Sequence, residues 1–217
     1  MKKILLLGDS ITIGYEKFVK QSFEGVADVY FPKVNCAFAQ YMLRFLNIWK
    51  DEENIPDDVD LVHFNAGLWD VLRIYDDDTL TPPEFYGQLL VRIVKRIKTL
   101  FSKAKIVFAL STNVVEEGYF NPPYSRFNAD VERFNSIAID VLSPLSVTFN
   151  DLYTLTKDFP ADSSCRSDMT HFNTDDGVKL VGGQVVETIC KELGVPMEKV
   201  CKIEAKAQVI SSKILRN

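Results

Sequence analysis

Five short, mainly apolar runs punctuate this sequence, at residues 3–7, 26–31, 61–64, 106–110 and 145–149, and each is bounded by turn-forming residues. Between them lie longer stretches with apolar residues at helical spacing: 16–23, 38–49, 83–101 and 126–142, then 174–193 after the fifth run. A strand with water on one side alternates apolar and polar residues. Continuous apolar runs mark strands buried on both faces, as in a parallel sheet covered by helices. The expected fold class is therefore α/β, a three-layer α/β/α sandwich with a parallel sheet of about five strands. At 217 residues the chain fits one domain of ordinary size, 1–195. Val200, Ile203, Ile210 and Ile214 recur at roughly helical spacing, so residues 196–217 are expected to add a terminal helix, packed on the domain or on a second copy in a homo-oligomer.

Sheets of this kind bind ligands outside the carboxyl ends of their strands, which directs attention to the residues following each run. Four places qualify: 8–10, 35–37, 65–70 and 111–113. Two long connections, 68–83 and 113–125, leave the same edge and are expected to wall a substrate site. Asp9, Asn35, Trp69, Tyr119 and Phe120 are the side chains expected to meet the substrate there, with Tyr124 close by.

Gly8, Asp9 and Ser10 follow the first run directly and precede a helical stretch, so Ser10 should sit on a strand-to-helix turn with its hydroxyl facing the cleft. Helix-start amides lack intrahelical acceptors and can stabilise a developing oxyanion. The bland alternative is that Asp9 or Ser10 simply caps the helix. At the far end, Asp168 and His171 stand three apart before the last helical stretch. A carboxylate so placed can fix the imidazole tautomer while the other ring nitrogen faces a nucleophile. Either feature alone is weak, and together they point to nucleophilic catalysis by Ser10.

Gly8-Asp9-Ser10 near the start and Asp168-x-x-His171 near the end resemble the two end motifs of the SGNH (GDSL) hydrolases, and the resemblance spans almost the whole chain. It implies a flavodoxin-like fold, hydrolysis of esters without metal or other cofactor, Ser10 as nucleophile, His171 as general base and Asp168 as its orienting carboxylate. The middle motifs depart from that family's pattern. Asn35-Cys36-Ala37 stands where the family has a glycine, and Asn65-Ala66-Gly67-Leu68-Trp69-Asp70 stands where it has Gly-x-Asn-Asp. If Gly67 is the motif glycine, Trp69 replaces the oxyanion-hole asparagine. The expected oxyanion donors are then the Ser10 amide, an amide at Cys36 or Ala37, and the Asn65 side chain, which ends the third run. Asn35 reads equally as an Asx turn, and Asp70 as a helix cap or loop anchor.

A net charge of −5 argues against a nucleic-acid face, and the densest cationic cluster, Lys95, Arg96 and Lys98, reads as the solvated side of a helix. Four scattered cysteines without a Cys-x-x-Cys pair, and two histidines, argue against structural zinc and a disulfide framework. His63 lies inside an apolar run and reads as a buried structural residue, while nothing marks Cys165 as an activated thiol. Gly8-Asp9-Ser10 interrupts the first apolar run before it reaches signal-peptide length, and no run approaches a membrane span, so a cytoplasmic protein without membrane partners is expected. The expected partner is a small-molecule ester, with a weak preference for a short acyl group such as acetyl on a carbohydrate. Two rival functions remain open at the level of sequence: acyl transfer by the same triad, and a noncatalytic binding module on the same fold.

Overall fold

The computed structural model describes residues 1–75, 77–116 and 123–208. Among them the elements run β1 (Lys2–Leu7), α1 (Ser10–Ser22), β2 (Ala27–Tyr30), α2 (Ala39–Glu52), β3 (Leu61–Phe64), β4 (Arg73–Ile74), α3 (Pro83–Leu100), β5 (Lys105–Ala109), β6 (Tyr124–Ser125), α4 (Asn128–Leu142), β7 (Thr148–Asn150), α5 (Leu152–Thr156) and α6 (Asp175–Leu193). Five strands form one wholly parallel sheet in the order β2-β1-β3-β5-β7. Helices α1 and α6 pack together on one face, and α2, α3 and α4 pack in sequence on the other. This is the three-layer α/β/α arrangement with flavodoxin-like strand order.

The apolar runs have the burial they imply: Ile4 to Leu7 and Leu61 to Phe64 are inaccessible to solvent, sandwiched between the helical layers. Order reversal places β1 and β3 side by side, in register from Ile4↔Leu61 to Leu7↔Phe64, with the chain leaving toward opposite sides of the sheet. That divergence is the switch point where such sheets open a crevice. His63 faces the α1 and α6 layer, where Asn150 donates to its Nε2 at 3.2 Å and burial holds its pKa down near about 4, so the imidazole is neutral. Its edge meets the Tyr15 ring.

Three elements differ from the sequence-based expectation. Helix α1 begins six residues earlier, because Asp9 caps it. The fifth sheet strand begins at Thr148 rather than 145, since a 3-10 turn at Ser143–Leu145 is followed by Ser146 in the left-handed region (φ 58°), which delays the extended backbone. The third difference is a correction. Over residues 196–208 the expected terminal helix does not form: there is one 3-10 turn, Met197–Lys199, and residues 201–208 carry no regular structure. Their backbone groups bond to the body of the domain instead of to each other. Cys201 donates to the Ser22 carbonyl, Ala207 to Asp175 Oδ1, and Gln208 exchanges two bonds with the Asn173 side chain. The remaining residues of that expected helix, 209–217, lie outside the described residues. Among the described residues no helix is long and apolar enough to cross a membrane.

Candidate active site

Ser10 is the first residue of α1, and two residues, Gly8 and Asp9, separate it from the end of β1. Two neighbours force the turn. A Cβ at Gly8 would collide with the Thr12 side chain, so only glycine lets the strand close on the helix. Asp9 Oδ1 then accepts the Ile11 amide at 2.9 Å, satisfying a first-turn donor and starting the helix. The Ser10 amide remains an N1 donor without an intrahelical acceptor, at the positive end of the helix dipole.

The acid–base pair is built by a compact loop. Asp168 Oδ1 accepts the amides of Thr170 and His171, both at 2.7 Å, and the Ser167 amide bonds the His171 carbonyl at 3.0 Å. These bonds curl the backbone so that both side chains point the same way. The loop then turns into α6, capped by Thr174 at the Gly177 amide. Gly177 cannot carry a side chain, because its Cβ would strike the carbonyls of Cys165 and Phe172.

Across 161 residues of sequence, Ser10 Oγ meets His171 Nε2 at 2.8 Å, and His171 Nδ1 meets Asp168 Oδ2 at 2.8 Å. A carboxylate can only accept, so Nδ1 carries the proton and Nε2 is left as the acceptor of the Ser10 hydroxyl. Burial works against the Asp168 charge, but the bonds from the His171 ring and the two amides outweigh it and hold the pKa near about 2. The geometry brings together Ser10, His171 and Asp168, and the hydroxyl has a base in place with the base itself oriented. Among the described residues no group of His, Cys, Asp and Glu side chains is arranged to hold a metal ion.

The other expected site residues fare differently. Asn65 was expected to aim its amide at an oxyanion beside Ser10. Its Nδ2 instead donates to the Ala109 carbonyl at 2.8 Å, with Ser111 Oγ at 3.5 Å, so it is turned toward the exit of β5. The two backbone donors expected after β2 are also committed: the Cys36 amide bonds the Gly8 carbonyl at 3.0 Å, and the Ala37 amide bonds Asn35 Oδ1 at 2.8 Å. Asn35 thus closes an Asx turn rather than facing the substrate, and Ala37 takes the left-handed conformation (φ 49°) that suits the glycine expected there. Asp9, expected at the substrate, is completely buried as the α1 cap, and burial raises its pKa. Of the expected backbone oxyanion donors, Cys36 and Ala37 have their N–H groups bonded within the loop, while the Ser10 amide stands at the helix start where the first N–H groups lack intrahelical acceptors. Trp69 is half-buried in the turn after β3, where its carbonyl accepts the Leu72 amide. Tyr119 and Phe120 lie outside the described residues.

Asp70 anchors the loop that Gly67 begins. Its carboxylate accepts the Ala39 amide at the start of α2 and the Thr81 hydroxyl at 2.7 Å, and burial pushes its pKa up to about 7. A Cβ at Gly67 would fall on the Ser111 hydroxyl, so close approach of the β5 exit explains that glycine.

Arg166, which the sequence reading did not single out, is 5% exposed and braces the acid–base loop from behind. Its Nε donates to the Phe159 carbonyl at 2.9 Å, its Nη2 to Asn113 Oδ1 at 2.7 Å, and its guanidinium stacks 4.2 Å from the ring centre of Phe172, the residue after His171. It therefore ties the loop to the exit of β5. A buried arginine in a polar loop has no periodicity signal, which is why it escaped notice.

No protein-family model matches the sequence, and no curated protein matches it. Solved structures do. A lipase/acylhydrolase from Enterococcus faecalis is 20% identical, with a TM-score of 0.66 over 94% of this chain and 100% of its own. A carbohydrate esterase family 3 protein from Talaromyces cellulolyticus is 16% identical, with a TM-score of 0.65 over 89% of this chain and 99% of its own. A GDSL-like lipase from Bacteroides thetaiotaomicron is 14% identical, with a TM-score of 0.63 over 88% of each chain. The chain has the fold of the GDSL-type, or SGNH, hydrolases.

Proposed function

We propose that this protein is a serine esterase working through an acyl-enzyme on Ser10. The observation that carries the reading is the continuous chain from Ser10 Oγ through His171 to Asp168, at 2.8 Å on each link, assembled from opposite ends of the sequence at the switch point of the sheet. The likeness of fold to lipases and esterases supports ester hydrolysis in general.

In the first half-reaction His171 Nε2 takes the Ser10 proton as Oγ attacks the ester carbonyl, and the carbonyl π electrons move onto oxygen. The Ser10 amide at the α1 N-terminus faces that oxyanion. Collapse breaks the C–O bond to the alcohol, which leaves with the proton from the imidazolium. Asp168 stays ionised throughout, holding the tautomer and stabilising the imidazolium. In the second half-reaction water loses its proton to Nε2, attacks the acyl-enzyme and releases the acid, and Ser10 recovers its proton. Two-step chemistry of this kind divides one high barrier into two lower ones.

The test is hydrolysis of p-nitrophenyl acetate by the wild-type and Ser10→Ala proteins, matched by circular dichroism. The reading expects release of p-nitrophenol that falls by about 10³-fold or more in the variant. Equal rates in the two proteins would refute it.

A further inference from the structure

Residues 201–208 run along the layer formed by α1 and α6. At one end the Cys201 amide bonds the carbonyl of Ser22, the last residue of α1, at 2.9 Å, just after Val200 enters the core. At the other end two residues flanking the α6 cap hold three consecutive tail residues. Asp175 Oδ1 accepts the Ala207 amide at 2.7 Å, and Asp175 Oδ2 meets Lys206 Nζ at 3.1 Å. Asn173 takes both backbone groups of Gln208, as a neighbouring strand would: Oδ1 accepts its amide at 2.9 Å and Nδ2 donates to its carbonyl at 2.7 Å. The tail therefore returns from the far end of the Ser10 helix to the catalytic edge. Helix α1, with 13 residues, is about 20 Å long. The segment from Cys201 to Gln208 can reach about 25 Å at most, so little slack is left in it.

This strap ends on the loop that carries the base. Asn173 follows His171 by two residues, and its own amide donates to Ser167 Oγ at 3.3 Å. The same hydroxyl donates to the His171 carbonyl at 3.3 Å, beside the 3.0 Å bond from the Ser167 amide. One path of hydrogen bonds thus joins the Gln208 backbone to the His171 backbone through Asn173 and Ser167. Asn173 also lines, with Ser10 and His171, the crevice between α1 and α6. The grip adds little to the fold itself. The Lys206–Asp175 pair is exposed on both sides, where an ion pair is worth little, and among the described residues the hydrophobic core closes with Val200.

We propose that Asn173 is a positioning residue for the reaction: by gripping the Gln208 backbone it holds the turn from Ser167 to His171, and with it the imidazole, in line with Ser10. This rests on the serine-esterase reading. Asn173 touches no reacting atom and acts through His171, so its effect belongs to the proton transfer and not to the holding of the ester. A displacement of about 1 Å at a reacting group can cost about 10²-fold in rate, so a modest loosening of the loop is enough to register in kcat.

The test is the hydrolysis of p-nitrophenyl acetate by full-length Asn173→Ala, Gln208→Pro, the double variant, and Lys202→Ala as a control at an exposed tail position. Gln208→Pro deletes the amide that Asn173 Oδ1 accepts and alters no residue of the acid–base loop. Each single variant is expected to lose about tenfold in kcat with KM within twofold and an unchanged circular dichroism spectrum. The double variant should be no slower than the slower single one, because both break the same link, and Lys202→Ala should stay within twofold of the wild type. A kcat within twofold of the wild type in Gln208→Pro, a loss confined to KM, or multiplicative losses in the double variant would overturn the positioning role while Ser10-dependent hydrolysis by the wild type still stood. If Asn173→Ala loses its native circular dichroism, Gln208→Pro decides alone. Absence of Ser10-dependent hydrolysis in the wild type would overturn both readings together.

Discussion

Asp70 offers a sharp test of the loop that frames the site, because its effect on stability has a sign as well as a size. Its carboxyl is completely buried, and burial raises its pKa from 3.8 to about 7 against the favourable bonds from Ala39 and Thr81. In the folded state it therefore holds a proton more tightly than in the unfolded chain. Below about pH 4 both states are protonated and the group contributes nothing to the pH dependence. As pH rises through about 4 to 7 the unfolded state releases its proton first, so stability falls and then levels. A shift of roughly three units corresponds to about 4 kcal/mol across that window. Asp70→Asn is neutral at every pH and can still accept from Ala39 through its amide oxygen. Other titrating groups remain common to the two proteins. Glu16, raised by burial to about 8, also loses stability as pH rises, whereas His63, lowered to about 4, loses it as pH falls from 6.5. These largely cancel in the difference between variant and wild type. Urea unfolding at pH 4, 5, 6, 7 and 8 should show that difference moving by about 4 kcal/mol in favour of Asp70→Asn. A difference constant within about 0.5 kcal/mol over that range would show that Asp70 ionises normally and that its burial has been misjudged.

Other substitutions separate scaffold from chemistry. Asn65→Ala strips the buried Ala109 carbonyl of its donor and is expected to lower stability by about 1–3 kcal/mol while changing kcat less than threefold; a 10²-fold loss in kcat would return Asn65 to the oxyanion hole. Arg166→Lys retains charge but cannot span Asn113, the Phe159 carbonyl and the Phe172 ring together, so kcat should fall about tenfold with KM within twofold, and a change confined to KM would contradict a positioning role. Asp168→Asn should be strongly impaired and His171→Ala slower by about 10³-fold or more, with the double variant no slower than His171→Ala. Multiplicative losses in that cycle would show that the two residues act independently.

The sequence made the sheet legible because strands buried on both faces are mainly apolar and short, as Ile4 to Leu7 and, His63 apart, Leu61 to Phe64 are. It also made Ser10, Asp168 and His171 legible, since each sits at a boundary where an apolar run or a helical stretch begins or ends. What it could not convey was where single hydrogen bonds go. Asn65, Cys36 and Ala37 are the right residue types at the right edge, yet their donors serve Ala109, Gly8 and Asn35. The small sheet of β4 and β6 escaped because two-residue strands carry no period. Residues 201–208 misled because the apolar spacing there suits a helix, whereas the bonds to Ser22, Asn173 and Asp175 capture their backbone first.

The central claim is that Ser10 becomes covalently acylated, and the most direct measurement is intact-protein and peptide mass spectrometry after incubation with a fluorophosphonate. The account predicts a single phosphonyl adduct on the peptide carrying Ser10, absent in Ser10→Ala and much slower to form in His171→Ala, because the hydroxyl needs its base. An adduct elsewhere, or none on Ser10 under conditions that label a control serine esterase, would contradict it.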